Sequence, residues 1–408
     1  MKNIVSLWRL SFRYLWSRPL AAALNLLLLT LGLGSMTFML LVSTQIDHAF
    51  ERDLAGIDAV VGAKGSPMQL ILSGVFHIDV PPGNVPLAEV QALAQNPQVA
   101  QVIPLSLGDS FRSFRIVGTT SDYVQHYQAQ FAQGALWAQP MQVVLGAQVA
   151  QATGLVLGSR FIGTHGLGEG GHAHGDNPYT VTGVLAPCGC VLDRLILTAT
   201  ESVWKVHETA NAADPTDAEE RQALEDDREV TMALIRYKSP LAAVTFPRFI
   251  NSSTPMQAAA PAQEVSRLLR LVGVGSDVLR GFGLVLLATA GLSLFIALWS
   301  AVRERRYDLA MLRMLGAPAR RVAGLLVCEA WWLALLASAA GLLAGHVLAE
   351  VAGQMLQAER SLNVTGWVWL PAEWWIPAGA LLVATLAASL PALNVYRRVD
   401  VLSLLNNG

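Results

Sequence analysis

Three histidines and two cysteines fall within 26 residues of one another: His165, His172 and His174, then Cys188 and Cys190 after a glycine-rich stretch. Imidazole nitrogen and thiolate sulfur are ligands for Zn²⁺ or copper, and the glycines between them would let a loop wrap an ion without strain. Neither H-x-H nor C-x-C has the spacing of a well-known structural zinc site. Three readings therefore stand side by side: a Zn²⁺ site built from His165, His172, His174, Cys188 and Cys190, a mobile polar loop with packed cysteines, and a thiol or disulfide role. Phosphate chemistry is a different matter. A phosphate-cradling loop needs a Gly-Lys pair, and Lys2, Lys64, Lys205 and Lys238 follow Met, Ala, Trp and Tyr. No H-E-x-x-H or G-x-S-x-G occurs either, so the chain reads as no enzyme, with no cofactor of its own.

The elements that carry these residues follow from composition. At 53% hydrophobic and 14% charged, the 408-residue chain is too apolar for a soluble protein, in which about 25% of residues are charged. Charges are nearly absent from four runs, Pro19–Ile46, Gly281–Val302, Val322–Ala349 and Trp374–Leu393, each near the ~20 residues that span a bilayer as a helix. Basic residues gather on one side of these spans: Lys2, Arg9, Arg13 and Arg18 before the first, Arg303 to Arg321 between the second and third, and Arg397 and Arg398 after the fourth. The positive-inside rule makes that side cytoplasmic. The net charge of −2, with no basic stripe, argues against a nucleic-acid partner.

The expected order is an interfacial amphipathic helix over 1–18, a first span over 19–46, an outer domain over 47–276 and a second span over 277–302. A cytoplasmic loop over 303–321, a third span over 322–349, an outer loop over 350–373, a fourth span over 374–395 and a tail over 396–408 complete it. The first run is about twice as long as a signal-peptide core and has no cleavage signal, so it reads as an anchor. Acids outnumber bases in the outer domain. There, β-rich runs at Phe111–Gly118, Gln142–Leu145, Tyr179–Leu185 and Arg194–Leu197 alternate with helical patterns at Leu87–Ala94 and Ala147–Thr153, which predicts an α+β fold. The charge run from Glu208 to Glu229 reads as a solvated helix or loop. Trp367, Trp369, Trp374 and Trp375 mark the outer interface.

Several segments resemble the MacB/FtsX/LolC type of ABC-transporter permease, also called type VII. They are Ser11-Phe-Arg-Tyr-Leu-Trp-Ser-Arg-Pro19, the stretch from Val143 to Gly158 followed by Tyr179–Leu185, and the tail from Leu390 to Val401. The most specific match is Val302-Arg-Glu-Arg-Arg-Tyr-Asp-Leu-Ala-Met-Leu-Arg-Met-Leu-Gly-Ala317, which is similar to that family's cytoplasmic loop. The resemblance implies a membrane α fold with four transmembrane helices and a large periplasmic α+β domain inserted between the first two. It also implies an inner-membrane protein that pairs with itself or a related permease, binds a cytoplasmic ABC ATPase where ATP and Mg²⁺ act, and passes the ATPase's movement outward to a periplasmic protein or cargo. The implied coupling residues are Arg303, Glu304, Arg305, Arg306, Leu312, Leu315, Gly316 and Ala317, on a helix continuing from the second span, with Gly316, Ala317 and Pro318 making a turn. Related permeases tend to carry Thr where Cys188 and Cys190 stand here.

Polar residues inside spans are rare enough to need a reason. Glu329 is expected either to face the bundle interior or a partner helix, or to reach back to the cytoplasmic interface. Cys328 reads as a small apolar packer. The pairs Gly32/Gly34, Gly281/Gly283 and Gly341/Gly345 suit close helix packing, including a dimer seam. The alternative function is an ATP-independent, membrane-anchored periplasmic receptor; an arginine-rich loop ending in Gly-Ala-Pro speaks against it. Nothing in the residues selects a substrate.

Overall fold

The computed structural model describes residues 2–17, 19–166, 177–208, 227–358 and 364–398. The chain forms two compact bodies, Met1–Ile46 with Leu271–Gly408, and Asp47–Arg270, and it passes between them within helices. Helix α1 is Lys2–Leu15 and α2 is Pro19–Leu54. Proline has no N–H to extend a preceding helix but suits a first turn, so α2 starts afresh at Pro19.

The outer body is a mixed sheet dressed with short helices. In chain order it contains β1 (Ala59–Ala63), α3 (Pro67–Gly74), β2 (Val85–Pro86), α4 (Leu87–Ala94), β3 (Val99–Phe111), β4 (Phe114–Thr119), α5 (Ser121–His126), β5 (Phe131–Gly134) and β6 (Gln142–Leu145). There follow α6 (Ala147–Thr153), β7 (Arg160–Phe161), β8 (Thr164–His165), β9 (Tyr179–Leu185), β10 (Ile196–Ala199), α7 (Thr200–Glu208), β11 (Glu229–Val230), β12 (Met232–Tyr237), α8 (Ala242–Ser253) and β13 (Met256–Ala259). The main path runs β13-β1-β12-β3-β4-β10-β6-β9-β5, with β7 on β9 and β8 on β3. The β4–β10 and β6–β9 pairs are parallel.

Alternation along the central strands supplies two cores, because successive side chains leave opposite faces. On one face Ala59, Val61, Ala233 and Ile235 pack with Val90 of α4 and with Phe246 and Ile250 of α8. On the other, Val60, Met232 and Leu234 pack with Leu70 and Ile71 of α3.

Two strand expectations change. The run Phe111–Gly118, read as one strand, is a hairpin that reverses at Arg112 and Ser113, whose φ values are +48° and +64°. A tight hairpin turn needs positive φ at both central residues, and Arg-Ser lacks the Asn-Gly signature that normally marks one. Residues Val191–Arg194 form a 3-10 turn, so the strand expected from Arg194 begins at Ile196.

The second body resumes with α9 (Pro261–Glu304), then α10 (Arg306–Met314), α11 (Ala319–Ala358) and α12 (Trp375–Arg398). Among the described residues, four stretches are long and apolar enough to cross a membrane: Pro19–Leu54, Gly281–Glu304, Ala319–Met355 and Pro371–Tyr396. Their shared core uses small residues so that backbones approach, with Ala330, Ala334 and Ala337 of α11 and Ala380, Ala384 and Ala388 of α12 all buried.

The glycines serve this bundle from within. A Cβ on Gly341 would lie 2.8 Å from the Leu33 Cβ and 3.1 Å from the Gly34 nitrogen, and one on Gly345 would lie 2.5 Å from the Thr37 Cβ. Gly341/Gly345 and Gly34 thus form the α2–α11 crossing within the chain, and Gly283 packs against Met36, which is the close helix packing expected of these glycines; a Cβ on Gly281 would meet open space. At the outer end, His346 meets the Glu373 carboxylate at 2.9 Å and bonds the Gly366 carbonyl, which satisfies this polar group within an apolar helix. Gln45 bonds both backbone polar groups of Thr365, and all four tryptophans of the 367–375 segment are exposed.

Candidate functional site

The junction between α9 and α11 is organised by one side chain. Helix α9 ends at Glu304, and Arg305, with φ −95° and ψ 20°, breaks the helix before α10 starts. The expected continuous helix is therefore two helices. At this break the Arg305 side chain turns inward: Nη1 donates to Glu329 Oε1 of α11 at 3.0 Å, and Nη2 donates to the Tyr14 carbonyl at 2.9 Å and to Ser17 Oγ at 2.6 Å. The guanidinium also lies 4.7 Å from the Tyr14 ring centroid. Glu329 is only 5% exposed. A buried carboxylate needs a paired cation, and a planar, multiply donating guanidinium is the side chain best suited to bridge three elements. Of the two readings of Glu329, the bundle-interior one holds. Arg305 is a strut within the chain.

The same geometry leaves α10 with a bare apolar face. Leu309 and Ala310 are buried against the bundle, while Tyr307, Met311, Met314 and Leu315 are 75%, 62%, 58% and 82% exposed. These four lie at i, i+4, i+7 and i+8, one stripe of a helix. Arg303 and Glu304 are exposed, Leu312 is half-buried, Ala317 packs on the bundle core, and the side chain of Arg306 lies outside the described residues. Gly316 adopts φ +92° as α10 ends, and the Gly316 and Ala317 amides donate to the Arg313 and Leu312 carbonyls. This is the left-handed helix terminus that favours glycine. Pro318 then opens α11, so the Gly-Ala-Pro turn forms where the sequence placed it. Around α1, Trp8 and Phe12 pack edge-on against Trp332, each with centroids 5.0 Å apart, and Trp332 donates to the Trp8 carbonyl.

The residues expected to hold metal do not assemble as a thiolate site. Cys188 and Cys190 are joined by a disulfide, so neither sulfur is a free thiolate ligand. The His165 backbone pairs with Asp109 in the β3–β8 ladder, while its side chain, His172 and His174 lie outside the described residues. Among the described residues no group of three or more His, Cys, Asp or Glu side chains could hold a metal.

The disulfide loop is instead gripped by charged side chains. Asp193 accepts from the Cys188 and Gly189 amides at 3.0 and 2.7 Å, Asp53 accepts from the Val191 amide at 2.8 Å, and Arg52 donates to the Gly189 carbonyl. Glycine suits position 189: its φ is +66°, and a Cβ there would displace the Arg52 guanidinium. Nearby, buried His77 bonds the Tyr123 hydroxyl at 2.9 Å, and Tyr127 donates to the Asp53 carbonyl. Burial first, then the neighbouring Arg115 and Arg194, push the His77 imidazole well below its ordinary range. Burial likewise lowers the Arg115 guanidinium to about 10.

The MacB-like periplasmic core domain model matches residues 22–245, and the FtsX-like permease C-terminal model matches residues 280–401. The chain belongs to the MacB/FtsX family of ABC-transporter permeases. The crystal structure of the periplasmic region of MacB from Actinobacillus actinomycetemcomitans aligns at 13% identity and TM-score 0.35, covering 53% of this chain and 95% of that one. The extracellular domain of the noncanonic ABC-type transporter YknZ from Gram-positive bacteria aligns at 12% identity and TM-score 0.30, covering 50% and 98%. No curated protein sequence matches.

Members of the MacB/FtsX family are permease components whose ATPase is a separate subunit, so this chain is a membrane protein with a periplasmic domain inserted between its first two spans. The matched C-terminal domain contains α10, its turn and Glu329. Sequence reasoning singled out Arg305 but missed Tyr14 and Ser17, to which it is tied. Their signal lay in backbone and hydroxyl acceptors near Pro19, which no residue pattern advertises.

Proposed function

We propose that this permease docks a cytoplasmic ABC ATPase on the exposed face of α10 and carries the movement caused by ATP hydrolysis through its helices to the periplasmic domain. The observation that carries this reading is the stripe of Tyr307, Met311, Met314 and Leu315 on a short helix locked by Leu309, Ala310 and the Arg305–Glu329 pair. Methionine and aromatic residues are enriched in protein interfaces, and a helix held rigidly at both ends transmits force better than a loop. The chain acts in the bacterial inner membrane, paired with a second copy or a related permease, and handles a periplasmic protein or other cargo. ATP and Mg²⁺ act in the partner. An ATP-independent anchored receptor would have no use for an apolar helix on the cytoplasmic side.

The test is co-purification of the full-length protein with its cognate ATPase. Met311→Glu with Leu315→Glu removes two interface anchors without touching Arg305 and should weaken association by at least about 30-fold, as loss of a hot spot of ~2 kcal/mol would. Undiminished association with normal membrane insertion rejects the docking face.

A further inference from the structure

The Cys188–Cys190 bridge lies where the first long helix is fastened into the outer body. Residues 47–54 of α2 belong to that body. There Asp53 accepts from the Val191 amide at 2.8 Å, Arg52 donates to the Gly189 carbonyl, and the Tyr127 hydroxyl donates to the Asp53 carbonyl at 2.8 Å. Two of these three bonds end within residues 189–191. The bridge therefore fixes the Gly189 carbonyl toward Arg52 and the Val191 amide toward Asp53. A ring this short constrains the unfolded chain only slightly, so its effect is local rather than on the stability of the whole body.

The two sulfurs are unequally placed. Cys190 is 6% exposed and belongs to the core, whereas Cys188 is half-buried between exposed Pro187 and exposed Gly189. Exchange depends on which sulfur is open to attack, and here that is Cys188. The Cys190 amide donates to Cys188 Sγ at 3.1 Å, where it would meet the negative charge this sulfur carries as a thiolate. Asp193 Oδ1, 3.4 Å from the same sulfur, is placed to accept its S–H once the thiolate has taken up a proton.

We propose that Cys188–Cys190 is a thiol–disulfide exchange site that a periplasmic dithiol opens, loosening the hold of the outer body on the end of α2. In an oxidising compartment the closed bridge is the resting form. One donor thiolate bonds to Cys188 Sγ as the S–S bond breaks, and the Cys190 sulfur leaves with the electron pair and takes up a proton. The donor's second thiolate then bonds to the donor's first sulfur, and Cys188 leaves and is protonated. Two electrons and two protons have moved, the chain holds two thiols and the donor holds the disulfide. A monothiol does not complete this sequence, because Cys190, two residues away, attacks the mixed disulfide at high effective concentration and closes the ring again.

The test uses the full-length protein in detergent without denaturant, with dithiothreitol as dithiol and glutathione as monothiol at equal thiol concentration. Dithiothreitol should expose two alkylatable thiols at least about tenfold faster than glutathione. In the reduced protein, hydrogen exchange read by mass spectrometry should quicken about 15-fold in peptides covering 186–195 and 48–56, the increase in local opening that release of so short a ring allows. These measurements need no substitution, so no folding defect enters them. Cys190→Ser should take up one glutathione from oxidised glutathione, and Cys188→Ser, whose remaining thiol is buried, should do so at least about tenfold more slowly. Thiols that appear only in denaturant, equal reduction by the two reagents, or equal labelling of the two variants overturns the exchange site. Unchanged exchange over 48–56 in the reduced protein overturns its link to α2. None of these readings involves the ATPase, so the α10 docking face stands or falls separately.

Discussion

The guanidinium of Arg305, at the break between α9 and α10, and the carboxylate of Glu329 on α11 meet at 3.0 Å inside the helical body, with α10 and the Gly-Ala-Pro turn between them in sequence. The pair has little solvent around it, so its two halves are not equivalent to surface charges. Removing Glu329 alone strands a buried cation, which costs about 3–5 kcal/mol, whereas replacing both members with apolar side chains of similar volume is often neutral. Glu329→Leu should therefore lower the melting temperature of the purified permease sharply, and Arg305→Met with Glu329→Leu should recover most of it. Additive losses in thermal melts of the two singles and the double would show that the two residues act independently.

Gly316 has open space around its missing side chain, so a substitution there tests backbone alone. Left-handed backbone costs a non-glycine residue about 1–2 kcal/mol. Gly316→Ala should keep the fold and lose part of the ATPase coupling. Gly316→Pro, whose φ is fixed near −65°, cannot adopt +92° and should abolish coupling while insertion persists. ATPase activity in proteoliposomes reads both; full coupling in the proline variant would remove the turn from the mechanism.

His77 gives the outer body an acid-sensitive term. Its folded pKa is depressed, so the unfolded chain takes up the proton first. The associated stability is complete above the ordinary histidine value of about 6.5 and declines as pH falls below it, by up to about 1.4 kcal/mol per pH unit. His77→Asn tolerates the positive φ of 55° and cannot titrate in this range. Melting temperatures of the full-length protein followed from about pH 7.5 down to about pH 5 should fall less steeply in the variant. Parallel curves would place the titrating group elsewhere.

The Cys188–Cys190 bridge closes a very short loop, so constraint of the unfolded chain contributes only about 1.6 kcal/mol. Reduction should expose two alkylatable thiols and lower the melting temperature modestly. Added Zn²⁺ should leave the oxidised protein's melting temperature unchanged, since both sulfurs are already bonded. If it raises that temperature by several degrees, a metal site independent of the cysteines exists.

Sequence located the four spans and several outer elements because those signals are local: long apolar runs, β-rich segments between Gly and Pro, and the Gly316 turn. What escaped it depends on distant or strained partners. The Arg112–Ser113 reversal has positive φ without glycine, so no turn signal was available. Gly341 and Gly345 are legible as a close-packing face, but their partners Leu33, Gly34 and Thr37 lie about 300 residues away and no local pattern names them. Arg305 was legible as a basic residue in a basic loop. Its inward turn was not, because it rests on a carboxylate that sequence alone left between two environments.

The Arg305 bond to the Tyr14 carbonyl joins residues 291 apart, and this separation has a meaning in time as well as space. At about 5–20 residues per second, synthesis takes roughly 15–60 s to pass from one to the other. Until then α1, with Trp8 and Phe12, has neither its arginine nor the Trp332 face of α11 to rest on. A nascent chain must therefore park this helix on the lipid surface, or in the care of the insertion machinery, and its docking can occur only once the third span has emerged. Premature termination before α11 should leave α1 as the segment most open to proteolysis.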